Sequence, residues 1–218
     1  MKYLYYIMPV IAGILGGVLI TTQITDSDDT GFQLSAQQLI KNGSPIMGDK
    51  DAPITILEWG DYQCTYCVRF HSTTLDEIKS EYIETGKVRL VFKDFPLNGE
   101  QSLQAAIATH CADEQDAYWA YHDKLYNNWG GERTGWFTEE VLREFAVELS
   151  LDERQFNTCL KQEKYKEDIL QMQVLASELG INGTPSFLIF TDKHIINIHG
   201  SQPFEVFDKS ITELLARK

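Results

Sequence analysis

Apolar residues follow two rhythms along this chain. Ile54 to Trp59 (ITILEW), bounded by Asp51-Ala52-Pro53 and Gly60-Asp61, reads as a strand. From Cys64 to Tyr82 the period becomes helical, with Cys67, His71, Leu75, Ile78 and Tyr82 on one face and Gly86 as the stop. Val88 to Phe92 (VRLVF) is a second strand, and strand–helix–strand suggests a parallel βαβ unit. A long helical stretch without strand signal follows. Leu103, Ala106, Ile107 and Cys111 mark one helix there, and Tyr118, Tyr121, His122 and Leu125 a second. Thr138 caps a third, which carries Val141, Leu142, Phe145 and Leu149. Asp152 with Gln155 resembles a capping box ahead of Phe156, Cys159 and Leu160, and Tyr165 to Leu179 continues to Gly180. Strands return at Ser186–Phe190 and Ile195–His199, spaced as a hairpin, and Ser201-Gln202-Pro203 opens a last amphipathic helix. The order is β-α-β, an all-helical insertion at about 97–182, then β-β-α. The insertion is too long for a loop and predicts a subdomain.

Tyr3 to Ile20 is uncharged and largely apolar, and as a helix would span about 27 Å. Lys2 before it, and Asp26, Asp28 and Asp29 after it, place the N-terminus in the cytoplasm and the rest of the chain outside. Residues 1–23 are therefore an N-terminal membrane anchor, with a cleaved signal peptide as the alternative. Polar, turn-rich residues at 24–42 read as a tether, and the domain proper as 43–218. The net charge of −13 without a Lys/Arg cluster argues against a nucleic-acid partner. Delivery outside the cytoplasm permits disulfides, so the four cysteines invite pairing.

Cys64 and Cys67 stand at i and i+3 on the opening turn of a predicted helix, near enough to bond. Unpaired N–H groups and the positive helix end favour an anionic sulfur there, and thiolate is the attacking species in disulfide exchange. Cys64, nearer the N-terminus, reads as the nucleophile and Cys67, one turn deeper, as the resolving thiol. A structural zinc site would need two more ligands, and His110, Cys111, His122 and Cys159 are not spaced to supply them. No metal or other cofactor is called for, and the histidines read as structural or surface residues. An inert staple closing so short a loop would stabilise little. Glu58 shares strand parity with Ile54 and Ile56, which points it toward the core. Buried there, its pKa should rise and it could accept the Cys67 proton; the alternative is a strand-end carboxylate reaching solvent. Asp61 and Tyr62 are candidates for the rim of the site, and the aromatics at 118–121 and 129–136 for packing the insertion.

GSPIMGDKDAPITILEWGDYQCTYC, the insertion containing HCADEQDAYWAYHDKLY, and GINGTPSFLIF followed by HGSQPFEVF together resemble the DsbA-like branch of the thioredoxin superfamily, BdbD-type subgroup. The resemblance runs from about Gly43 to the C-terminus. It implies a thioredoxin-like α/β fold with an inserted helical subdomain. It also implies a cis Pro185 beside Cys64, and Thr184 offering backbone hydrogen bonds to substrate. Glu58 falls at the position of the family's buried acid. Family members oxidise cysteine-containing extracytoplasmic proteins and are reoxidised by a quinone-linked membrane partner of DsbB or VKOR type; a monomer is expected. Thr65-Tyr66 stands between the cysteines where the family often has Pro and then His or an aromatic residue. Without that His a cationic stabiliser of the Cys64 thiolate is missing, which implies a weaker oxidant and leaves the direction of electron flow open.

Cys111 and Cys159 sit in different predicted helices, each on an apolar face. As a disulfide they would close a loop of about fifty residues, worth roughly 4 kcal/mol; as free thiols they would be small hydrophobes. Extracytoplasmic placement and the subgroup resemblance favour a structural bond, with a second redox pair as a further reading. The function expected is disulfide introduction through the CxxC dithiol. An isomerase or reductase of the same fold, or a redox-inert chaperone-like module, are the alternatives.

Overall fold

Strand β1 (Ile54–Gly60) is buried along its whole length, because both of its edges and both of its faces are covered. In this computed structural model, which describes residues 35–217, β1 pairs in parallel with β2 (Val88–Asp94) and antiparallel with β3 (Ser186–Phe190). β4 (Ile195–His199) closes the other side, for a sheet order β2-β1-β3-β4. Full burial explains why the strand reads as a nearly continuous apolar run. The anchor or signal reading of residues 1–23, and the first part of the tether, lie outside the described residues. Among the described residues no helix is long and apolar enough to cross a membrane.

Strand parity divides the core in two. Ile54 and Ile56 face Phe70, Leu75 and Ile78 of helix α2 (Thr65–Ile78), and Phe207, Ile211 and Leu214 of the C-terminal helix at Phe204–Ala216. Phe187 joins them, its ring centroid 4.6 Å from Phe70 and 4.9 Å from Phe207. Leu57 and Trp59 face the other way, onto Leu39 of a short helix α1 (Ala36–Ile40) and Ala176. That helix stands inside the segment read as a tether. Its polar sequence hides a full capping box, in which Ser35 and Gln38 bond each other's backbone N–H, and a single buried Leu39. Beyond it Ser44 and Met47 bond the backbone of Phe92 and Leu90, which covers the outer edge of β2.

The insertion comprises α3 (Glu100–Asp113), α4 (Tyr118–Asn127), α5 (Glu139–Glu148), α6 (Glu153–Lys161) and α7 (Lys166–Glu178). The sequence marks one apolar stripe on α3, yet ten consecutive-turn positions from Ser102 to Ala112 are buried. The other four helices all pack against α3, so small residues such as Ala105, Ala108 and Ala112 are interior as well. Thr138 caps α5, accepting from Val141 N–H at 3.2 Å. Asp152 caps α6 through Gln155 N–H at 2.8 Å, but the reciprocal bond to Asp152 N–H comes from Gln115, at 2.7 Å. Gln155 turns to Glu114 instead. The final helix, α8, is the Phe204–Ala216 element, opened by Pro203.

Cys111 of α3 and Cys159 of α6 are joined, with 48 residues of sequence separation. Replacing both by Ala should lower the unfolding free energy by about 4 kcal/mol in urea titrations. A loss below about 1 kcal/mol would show that the crosslink contributes little.

Candidate active site

Where β1 ends, the chain must turn and enter α2 within four residues, and Asp61 organises that turn. Its Oδ1 accepts from Gln63 N–H and from the Ser102 hydroxyl, each at 2.7 Å, and its Oδ2 from Asn98 N–H at 2.8 Å. Cys64 N–H returns to the Asp61 carbonyl at 3.0 Å. Asp61 and Tyr62 are thus both buried rather than at the rim, because one satisfies three donors beneath the loop and the other packs on Phe92 and Tyr126. Burial pushes the Asp61 carboxyl upward and its hydrogen bonds pull against that. Gly60 is required at this corner, since a Cβ there would stand 2.4 Å from the Phe92 ring.

The turn delivers Cys64 to the N-cap of α2 with extended backbone (φ −70°, ψ 121°), and Cys67 to the first turn. Both are free thiols. Cys64 is 7% exposed and Cys67 fully buried. Their chemistry diverges accordingly. A hydrogen bond from Cys67 is the largest influence on Cys64 and, with further bonds from the Thr184 side chain and the N–H groups of Cys67 and Tyr66, brings its pKa down to about 6 against the opposing effect of burial. Burial first, and then the bond given to Cys64, push Cys67 well above the ordinary thiol range.

Opposite the cysteines, the Thr184–Pro185 peptide is cis, and Thr184 O lies 3.4 Å from Cys64 Sγ. Beneath them Glu58, held in the sheet between Phe92 and Phe187, is 3% exposed. Burial, and then the charge of Cys64, raise it to about 8. Thr65 and Tyr66 lie on the outer side of the opening turn, Tyr66 exposed with the Arg69 guanidinium 5.2 Å from its ring centroid. The fold therefore gathers Glu58, Cys64, Thr65, Tyr66, Cys67, Thr184 and Pro185 around one point. Cys111 and Cys159 lie within the insertion core.

The sequence reading missed a loop of the insertion that clasps this turn. Trp129 Nε1 donates to Gln63 O at 3.0 Å, Arg133 N–H to Gln63 Oε1 at 3.1 Å, and Glu132 accepts from Thr65. Its one visible signal was the glycine-rich stretch Gly130-Gly131-Glu132-Arg133-Thr134-Gly135 between aromatics. A second grouping also escaped, because its members come from different helices. His71 Nε2 and His122 Nδ1 both approach Asp123 Oδ1, at 2.9 and 3.3 Å. This is the trio among the described residues whose donors converge closely enough for a metal ion. The two converging nitrogens, His71 Nε2 and His122 Nδ1, are already spent on the carboxylate, and Lys79 stands 3.9 Å from Oδ2. Burial lowers His122 to about 4, while the hydrogen bonds from His122 and His71 outweigh burial and hold Asp123 well below the carboxylate range. The trio fastens α2 to α4.

Chemically, the arrangement offers one acidic, slightly exposed sulfur at the helix opening, one basic sulfur fully buried behind it, and a protonated carboxyl below. That suits two-step disulfide exchange. Comparisons with known proteins agree with it. A family model described as thioredoxin matches residues 41–213. The "Probable disulfide bond formation protein D" of Bacillus anthracis is 31% identical over 177 residues, 79% of this chain and 80% of its own. "Disulfide bond formation protein D" of Bacillus subtilis is 29% identical over 75% of this chain and 74% of its own. Among solved structures, Wolbachia pipientis alpha-DsbA1 matches with TM-score 0.71 and 29% identity, covering 81% of this chain and 92% of that one. Oxidised BdbD from Bacillus subtilis gives TM-score 0.71 at 25% identity, covering 81% and 95%.

The Glu58 carboxyl holds its proton to about 8 where an unperturbed one releases it near 4.5. Between those values the folded state binds more protons, so this group's contribution to stability is lost as pH rises through the window. Glu58→Gln should therefore stabilise the reduced protein increasingly from pH 5 to pH 8, by roughly 4 kcal/mol at the upper end. Urea unfolding at a series of pH values measures this, and an equal stability difference at pH 4 and pH 8 would contradict it.

Proposed function

The chain belongs to the DsbA-like branch of the thioredoxin family and is a protein thiol:disulfide oxidoreductase, and from that premise we propose that it oxidises cysteine pairs of extracytoplasmic proteins through Cys64 and Cys67. The observation that carries this reading is the placement of two free thiols at the N-cap and first turn of α2, facing the cis Thr184–Pro185 peptide, a setting that brings one sulfur down to about 6 and pushes the other well above the ordinary range. A stabilised Cys64 thiolate stabilises the reduced enzyme relative to its disulfide, and so makes the disulfide a donor.

In the oxidising direction a substrate thiolate attacks Cys64 Sγ, and the Cys64–Cys67 bond breaks. Cys67 leaves with the electron pair and takes a proton from Glu58, which recovers it from solvent. The second substrate thiolate then attacks the substrate sulfur of the mixed disulfide. Cys64 departs as a thiolate, a good leaving group because its pKa lies below neutrality. The enzyme has gained two electrons and the substrate has lost two. Thr184 and cis Pro185 hold the substrate strand across from Cys64, and Thr65 and Tyr66 form the near wall. Reoxidation runs the same steps backwards on a membrane reoxidase of the quinone-linked DsbB or VKOR type, with Glu58 as the proton acceptor for Cys67. The apolar segment from Tyr3 to Ile20 anchors the domain outside the cytoplasm. Cys111–Cys159 serves as a structural bond.

Cys67→Ala should trap a Cys64 mixed disulfide with a reduced, cysteine-containing client, seen as a reductant-sensitive adduct by non-reducing electrophoresis. Cys64→Ala should abolish both adduct and dithiol oxidation. Oxidation that survives in Cys64→Ala would overturn the reading, and an equilibrium with glutathione near thioredoxin's potential of about −270 mV would turn it toward a reductase.

A further inference from the structure

Helix α2 begins on a peptide N–H that is already engaged. The N–H and the hydroxyl of Thr65, the residue directly after Cys64, both donate to Glu132 Oε2, at 3.3 and 3.1 Å. The helix has no acidic residue in its own first turn. The anion at its N-terminus therefore comes from the insertion, 67 residues further along the chain. Glu132 is not neutralised there, since it forms no ion pair among the described residues. The neighbouring guanidinium of Arg133 turns away, donating to Asn98 Oδ1 at 3.1 Å and Leu97 O at 3.5 Å.

The other ionisable groups near Cys64 do not offset this charge. Glu58 approaches from β1 below, and Cys67 from within α2. Asp61, in the preceding loop, has both oxygens hydrogen-bonded. Arg69, further along α2, gives its donors to Ser201. A helix N-terminus stabilises an anion, and the effect fades beyond the first turn. A carboxylate fixed at the same turn repels a thiolate formed next to the residue that holds it.

We propose that Glu132, reaching in from the helical insertion, restrains the acidity of Cys64 and holds the dithiol less oxidising than the opening turn of α2 would by itself. Glu132 is a positioning residue: it acts on the reacting sulfur through Thr65 and through space. The inference rests on the dithiol reading given above. Its sign follows from linkage, because removing a negative neighbour favours the Cys64 thiolate, and the thiolate exists only in the reduced enzyme.

The test compares Glu132→Gln and Glu132→Asp with the unaltered protein, following thiolate absorbance against pH and the redox equilibrium with glutathione. Gln keeps an acceptor for Thr65 and loses the charge; Asp keeps the charge. Glu132→Gln should titrate Cys64 at lower pH and shift the equilibrium toward reduced enzyme at least threefold, which is about 14 mV at 29.6 mV per tenfold. Glu132→Asp should stay within twofold of the unaltered protein. In 1 M salt, where the screening length is about 3 Å, the Gln effect should shrink. Glu132→Gln indistinguishable from the unaltered protein in both measurements, or Glu132→Asp moving as far as Gln, would overturn the proposal and leave the dithiol chemistry standing. An unaltered protein that does not exchange with glutathione at all would instead overturn the dithiol reading, and this inference with it.

Discussion

One buried carboxylate, that of Asp61, ties the sheet, the loop before α2 and the insertion to a common point. It accepts three hydrogen bonds, from Gln63, Asn98 and Ser102, and its backbone carbonyl receives Cys64 N–H. Hydrogen bonds to a charged group contribute about 1.5–3 kcal/mol each, whereas an unpaired buried donor costs about 1–3 kcal/mol. Any displacement of Asp61 would therefore leave several orphans at once. This is why Cys64 can sit at an N-cap without any side-chain cap of its own. The position of the reactive sulfur is set from below, by a group that takes no part in exchange.

Around that fixed point two electrostatic tendencies oppose each other. Burial in the seam between sheet and insertion disfavours every charge, and it wins at Cys67 and at Glu58, which is raised to about 8. At Cys64 the outcome reverses, because hydrogen bonding from Cys67, from Thr184 and from the first N–H groups of α2 more than offsets burial. The same medium thus keeps a proton on one sulfur and removes it from the other, only one helical turn away. A raised carboxyl beneath them fits this division: it stays protonated at neutral pH, and can give its proton to a departing sulfide without adding a standing negative charge under Cys64.

Much of the scaffold could be read directly from periodicity. The β-α-β start, the helical insertion, the terminal hairpin and α8 all follow runs of period two or near 3.6, and Glu58 could be aimed at the core from its parity with Ile54 and Ile56. What could not be read depends on partners distant in sequence. Helix α1 is polar apart from Leu39, and is held by a capping box that a tether composition conceals. The N–H of Asp152 is served by Gln115 rather than Gln155, a substitution no local pattern reveals. His71, His122 and Asp123 meet only because α2 and α4 are adjacent.

The loop carrying Glu132 shows most clearly where local reading ends. The aromatics at 129–136 point to packing of the insertion, and nothing in their pattern points to the opening turn of α2. The loop's significance lies in a backbone N–H on another element, and hydrogen bonds between remote loops leave no periodic trace. The dipeptide between the cysteines illustrates the same point from the other direction. Thr65-Tyr66 suggested a missing cation and hence a less acidic Cys64, but the pair also supplies a hydroxyl and an N–H that bind an anion from outside the motif. Proline at position 65 would have neither donor. The identity of that residue therefore decides whether the insertion can place a charge beside the active sulfur, and reading the motif without the loop that docks on it gives only half of the electrostatics.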